Sequence, residues 1–285
     1  MQQKRLALPG IEMAYLEAGS GFPLVFLHGW PEWSAVWRKV LPDLSRTYRV
    51  LAPDLRGFGD TQAERPATRV EDYVADLAAF ADALGLKRFG LVGHDVGGFL
   101  MLDYARQAPE RLAGLFGFDW PNLGIGQRWL QGGQVREIWY QSFHQLPLSL
   151  ELLGASRENV RIYFRHFLSH WSHDPAAFDA VLEEWTDMFA RPGRLSGGFD
   201  WYKSVNARRL AAMANPPPPL PKLTVPAFSL WGESDPILRV EWQDTLLDLF
   251  ETITLERAPR AGHFVHWEQP ALAVEKIAGF FAALR

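Results

Sequence analysis

The chain has 285 residues, 48% hydrophobic and 22% charged, an ordinary globular balance with room for one large α/β domain and an inserted subdomain. A net charge of −4 and the lack of any long basic run argue against a nucleic-acid partner and leave small neutral ligands open. The absence of cysteine excludes disulfides, thiol catalysis and Cys-ligated zinc.

The N-terminal stretch MQQKRLALPGIEMAYLEAG holds basic residues but no apolar export-type segment, and no run of 18 apolar residues occurs. A cytoplasmic protein without a membrane partner is expected. IEMAYLEAG (11–19) and FPLVFLHG (22–29) read as strands, followed by an amphipathic helix around WSAVWRKVLPDLS. YRVLAPD (48–54) reads as a strand and VEDYVADLAAFADALGL (70–86) as a helix ending near Gly85. RFGLVG, a helix after Asp95, and LAGLFGFD continue the alternation, which predicts a mostly parallel sheet covered on both faces. Ligands of such sheets bind beyond the carboxyl ends of the strands.

From Asn122 to Asn215 helical patterns follow one another without a convincing strand, and Trp129, Trp139, Trp171, Trp185 and Trp201 fall inside. We therefore expect a core of residues 1–121 and 216–285 with a helical cap at 122–215. NPPPPLPKLTVP (215–226) reads as a stiff extended connector back to the sheet. The alternation then resumes with strand AFSLWGESD, helix VEWQDTLLDLF, strand TITLERAP and a last helix after Pro270.

LVGHDVGGFL (91–100) has the spacing G-x-D-x-G, that of a nucleophile elbow with aspartate at the apex. Gly93 and Gly97 relieve crowding at such a turn, and Asp95 would sit at a helix N-terminus where N–H groups favour an anion. The plainer reading is an ordinary N-cap. A nucleophile should be followed by an acid and then a histidine at the ends of later strands. LWGESDP places Asp235 and PRAGHFVHWEQP places His263 in that order. His266 is a competing histidine, but His263 comes first off the strand and has Gly262 beside it. FLHGWP (26–31) can aim the Trp30 N–H at the site, where with the Val96 N–H it would form a two-donor oxyanion hole.

With HGWP, APDLRGFGD, GHDVGG, LWGESDP and AGHFVHWEQP together, the chain resembles the α/β-hydrolase superfamily along nearly its whole length. The resemblance implies an α/β-hydrolase fold. Aspartate at the elbow is similar to epoxide hydrolases and to haloalkane, haloacid and fluoroacetate dehalogenases, which form an alkyl ester on that carboxylate. YQSFHQLP (140–147) and GFDWYKSVNARR (198–209) resemble the two cap segments of epoxide hydrolases that supply paired tyrosines, here Tyr140 and Tyr202. Two phenols above the nucleophile would hold and protonate the ring oxygen. A dehalogenase needs instead a cradle for halide, for which Trp139 or Trp201 are candidates, and haloacid-type relatives also need arginines where this elbow helix has Val96 and Phe99.

Within the resemblance Asp119 competes with Asp235 as the acid that orients His263. His28, Trp139 and Trp201 are the candidates for lining a pocket for a small apolar substrate. The pattern has Val96 where many epoxide hydrolases carry an aromatic, and Asp60 where serine is usual. His166, His170 and His173 have a spacing permissive for a metal, but without an accompanying acidic pattern they read as cap surface, so neither metal nor cofactor is expected. The expected function is an epoxide hydrolase, with a dehalogenase second and a non-catalytic ligand-binding member of the fold third.

Overall fold

The computed structural model describes residues 1–215 and 217–284. Pro216, where the second core segment was expected to begin, and Arg285 at its end lie outside the described residues. Among the described residues nine strands form one sheet: β1 (Gln2–Leu8), β2 (Ile11–Ala18), β3 (Phe22–Leu27), β4 (Tyr48–Pro53), β5 (Gln62–Ala63), β6 (Phe89–His94), β7 (Leu112–Phe118), β8 (Ala227–Gly232) and β9 (Ile253–Ala258). Their order is β1-β2-β4-β3-β6-β7-β8-β9, with β5 paired to β2. The pairs from β4 through β9 are parallel, while β1, β2 and β5 pair antiparallel. Every residue of β6, β7 and β8 is buried, as strands covered by helices on both faces must be.

Three elements differ from the sequence reading. Strand β1 was not expected. It lies at the sheet edge, mostly exposed, and its polar residues pair with β2 through Lys4–Glu17 (2.7 Å) and Arg5–Glu12 (2.6 Å), so it carries no buried alternation to read. The helix expected around residues 33–45 is a 3₁₀ segment, Ser34–Lys39, followed by the short helix Leu41–Leu44. Pro42 cannot donate an amide bond, which breaks a continuous ladder there. The helix expected after β8 is likewise 3₁₀, Val240–Asp248.

Between β7 and β8 the described residues form helices and loops, with an isolated bridge from Leu223 to Phe250 and no strand. The longest helix, Arg194–Ala214, starts after Gly193 at φ +80. It comes down on the loop after β4 through a glycine pair: a Cβ on Gly197 would stand 2.2 Å from the Gly57 carbonyl oxygen. Trp185 Nε1 donates to the Pro31 carbonyl (2.9 Å), and Arg191 reaches Asp60 (2.7 Å). Asp60 also accepts from Gln3 Nε2, so its carboxylate ties the helical segment to the loop after β4 and to β1. Among the described residues no helix is long and apolar enough to cross a membrane.

Candidate active site

At the end of β6 the chain turns abruptly. Asp95 has φ +46 and ψ −112, and the helix Val96–Gln107 begins at the next residue. Only small neighbours permit this turn. A Cβ on Gly97 would stand 2.2 Å from the Leu27 carbonyl oxygen, and one on Gly29 would stand 2.6 Å from Asp95 Cβ. A residue held at positive φ without being glycine marks a backbone that its surroundings over-determine.

The Asp95 side chain makes no N-cap bond to its own helix. Its Oδ1 instead accepts from the Trp30 N–H at 3.0 Å. Burial raises its pKa above the ordinary carboxylate value, while His263, His94 and the N–H groups of Trp30 and Val96 hold the rise back. Both N–H groups named from the sequence thus face this carboxylate. Its other oxygen, Oδ2, lies 4.0 Å from His263 Nε2, too far for a hydrogen bond.

His263 Nδ1 is bonded to Asp235 Oδ2 at 2.7 Å, and Nε2 is buried without a partner among the described residues. Burial alone would lower the pKa of His263; the Asp235 and Asp95 carboxylates outweigh it, and the net shift is upward. Asp235 is fixed in turn, its Oδ1 accepting from the N–H groups of Ile237 (2.8 Å) and Leu238 (3.0 Å). Asp119 does not bond the imidazole. It accepts from the Gly232 N–H at 2.9 Å, and burial together with the neighbouring Asp235 charge pushes its pKa well up.

Tyr140 and Tyr202 meet edge to face with ring centroids 5.4 Å apart, and Tyr140 stacks on the indole of Trp30 at 5.3 Å. Gln141 Nε2 donates to the Tyr140 hydroxyl oxygen at 3.0 Å, which leaves the phenol proton free to be donated. Burial raises the pKa of both phenols, so both stay protonated donors. Asp95, Tyr140, Tyr202 and Trp201 line one pocket, whose cavity volume is about 60 Å³.

Two expected pocket residues are elsewhere. His28 is fully buried with both ring nitrogens used on backbone, Nε2 accepting from the Leu55 N–H (3.0 Å) and Nδ1 facing the Gly29 carbonyl (2.8 Å). It holds the loops after β3 and β4 together, and burial pulls its pKa down to about 4. Trp139 is 44% exposed and packs against Phe143 and Phe167 on the outer side. Neighbouring helical positions point to different faces, so Tyr140 faces the pocket and Trp139 cannot.

His266 sits in a buried cluster under the site that the sequence reading did not single out. Glu32 Oε2 lies 2.9 Å from His94 Nδ1, and its Oε1 lies 3.2 Å from His266 Nε2. The Gly29 N–H also donates to Glu32 at 2.8 Å, and His94 Nε2 bonds the His263 carbonyl at 2.8 Å. Among the described residues these three are the group whose spacing could admit a metal ion, yet their polar atoms already face one another. His166 and His170 stack at 5.5 Å on the surface, with His170 bound to Glu137 (2.8 Å), whereas His173 turns away to Ser234.

A family model described as alpha/beta hydrolase fold matches residues 23–270. The chain is 30% identical over 285 residues to a soluble epoxide hydrolase of Corynebacterium sp. (strain C12), covering 97% of this chain and 96% of that one. It is also 30% identical over 279 residues to a 2-hydroxy-6-oxo-2,4-heptadienoate hydrolase of Pseudomonas putida, covering 96% and 94%. A solved structure described as epoxide hydrolase CorEH without ligand superposes with a TM-score of 0.87 at 27% identity, covering 100% of this chain and 99% of that one. Two relatives of different activity at one level of identity leave the choice of reaction to the residues of the site.

Proposed function

The chain belongs to the α/β-hydrolase family as a hydrolase, and we propose that it is an epoxide hydrolase that opens its substrate through a covalent ester on Asp95. The observation that carries this reading is that two protonated phenols, Tyr140 and Tyr202, line the same pocket as a carboxylate with one oxygen held and the other free.

The two Asp95 oxygens have separate tasks. Oδ2 attacks an epoxide carbon, the ring C–O bond breaks, and a phenol of the helical cap passes its proton to the ring oxygen. The ester carbonyl oxygen is then Oδ1, already held by the Trp30 N–H, with the Val96 N–H as the second donor of the hole. Water enters the gap between Oδ2 and His263, gives a proton to Nε2 and attacks Cγ. Negative charge develops on Oδ1, where one such donor is typically worth about 10² to 10³ in rate. The Cγ–O bond to the substrate then breaks. The proton on His263 and the second proton of the water restore the phenol and protonate the departing alkoxide, so epoxide and water leave as a vicinal diol. Asp235 keeps the imidazole oriented with Nε2 toward this water. The chemistry is complete in these side chains and calls for no cofactor.

A halide cradle on Trp139 has no support, because that indole faces outward. The reading is tested by following diol formation from styrene oxide with the protein and its Tyr140→Phe/Tyr202→Phe double variant. Turnover by the protein and a loss of three orders of magnitude or more in the double variant, on the order of 4 kcal/mol of barrier, are expected. Undiminished diol formation by the double variant would remove the phenols from the mechanism.

A further inference from the structure

Arg208 and Arg209 are neighbours in sequence and opposite in circumstance. Arg208 points away from the pocket and is bound by Asp103 (2.6 Å) and Glu71. Arg209 lines the pocket, and among the described residues no carboxylate pairs with it. Its Nη2 donates to Asn206 Oδ1 at 3.1 Å, one turn back on its own helix, while Nε and Nη1 are buried without partners. Burial lowers its pKa, the direction for a charge without a counter-charge, although a guanidinium stays protonated. Gln141 Oε1, on the same pocket, is also buried without a partner but is neutral.

The helix fixes where this charge stands. Tyr202, Val205, Arg209 and Ala212 all line the pocket, at spacings that put them on one helical face. The Arg209 Cα therefore lies two turns beyond that of Tyr202, about 10 Å along the axis, and its guanidinium is within electrostatic reach of both phenols. The same pocket is lined by the apolar Val205, Leu123, Ile237 and Leu238 and by the polar Asn122 and Gln141. A buried guanidinium without a paired carboxylate is costly for the free protein, and an anion brought by the ligand relieves that cost.

We infer that Arg209 forms a carboxylate subsite at the far end of the pocket, so that the substrate is an epoxide carrying a carboxylate several bonds from its ring. The inference rests on the epoxide-opening reading above for its chemistry and on Arg209 alone for the acid. The substrate enters with its carboxylate against the free Arg209 N–H groups, its apolar chain along Val205 and Leu238, and its ring oxygen under the phenols.

The test compares terminally epoxidised octanoic acid with its methyl ester and with the epoxide of the terminal octene. In the wild-type protein kcat/KM for the acid should exceed that for the uncharged octene epoxide by about tenfold or more, with the ester near the octene epoxide. Arg209→Met should collapse this ratio toward one, and Arg209→Lys, which keeps a cation, should retain part of it. A ratio unchanged in Arg209→Met overturns the subsite and leaves epoxide hydrolysis standing. Calorimetric titration with octanoate reads the subsite without the chemistry. Binding weaker by about tenfold or more in folded Arg209→Met supports it, and equal binding overturns it. If the folded wild-type protein turns over none of the three epoxides, the epoxide-opening reading fails, and the octanoate titration still decides the subsite.

Discussion

His263 Nε2 stands 4.0 Å from Asp95 Oδ2 and has no partner among the described residues, while Nδ1 of the same ring is held by Asp235 at 2.7 Å. The imidazole is thus fixed on one side and open on the side facing the nucleophile. This fits a base that acts on water after the ester has formed rather than one that activates the carboxylate.

That asymmetry sets the pH profile. His263 must be neutral to accept a proton, and its pKa is raised from 6.5 chiefly because the Asp235 charge outweighs burial. Single-turnover ester hydrolysis should therefore rise with pH through a midpoint above 6.5 and fall below it. Asp235→Asn should move the midpoint down as well as slow the step, which stopped-flow tryptophan fluorescence across pH would record.

Asp119 and Asp235 should respond differently to the same substitution. Asp235→Asn replaces the acceptor that fixes the His263 ring, a change that costs about 10⁴ in an unrelated histidine–aspartate pair. The Asp119 pKa is pushed well up by burial and by the Asp235 charge, so the neutral amide of Asp119→Asn suits its site and should cost less than about tenfold. Comparing kcat for the two variants on one epoxide checks the assignment.

Acid should destabilise the fold before it protonates most carboxylates. His28 and His266 have their pKa lowered by burial from 6.5 to about 4, so between these values the unfolded chain binds protons that the folded one refuses. Stability from this source is present above pH 6.5 and is lost as pH falls toward 4. His263, shifted upward, works in the opposite sense and offsets part of the loss. Glu32, held low by His94 and His266 against the desolvation that would raise it, keeps its contribution across this window. Asp54, raised by burial to about 6, and Asp119, raised well up, also oppose the loss, while His144, lowered well below 6.5, adds to it. The histidine contribution is therefore read from a variant: at about 1.4 kcal/mol per pKa unit, His28→Gln should remove about 2–3 kcal/mol of the difference in urea-unfolding stability between pH 7 and pH 4.5, relative to the unsubstituted protein.

The glycine pair between the helical segment and the loop after β4 should be as sensitive as the catalytic residues. In a helix Gly→Ala gains about 1 kcal/mol of propensity, but at Gly197 the new Cβ would meet the Gly57 carbonyl oxygen at 2.2 Å, where no rotamer change helps. Overpacking of this kind costs about 1–3 kcal/mol and shifts the helix that carries Tyr202 and Arg209. Gly197→Ala should lower Tm and reduce kcat/KM together.

Much of this arrangement was legible in the sequence because its parts impose local demands. The elbow needs Gly93 and Gly97, the buried parallel strands need continuous apolar runs, and the end of each later strand displays one polar residue. What remained unread depends on direction and on long-range pairing. Nothing in HGWP tells that His28 turns inward to bond Leu55, and nothing in WY tells that Tyr140 rather than Trp139 faces the pocket. Glu32 stands alone in sequence; its partners His94 and His266 come from β6 and from the short helix Val265–Glu268 before the last one. Arg208 and Arg209 form one basic pair on paper, and only the helix angle separates a surface ion pair from a pocket charge.

The most direct test of the central claim is the intact mass of His263→Gln protein after exposure to styrene oxide, with the adduct mapped by peptide. Removing the base of the second step while leaving the first intact should trap the ester. The account predicts a mass increase equal to the whole epoxide, located on Asp95. A folded His263→Gln protein that forms no adduct on Asp95, while the wild-type protein produces diol, would contradict a covalent route through this carboxylate.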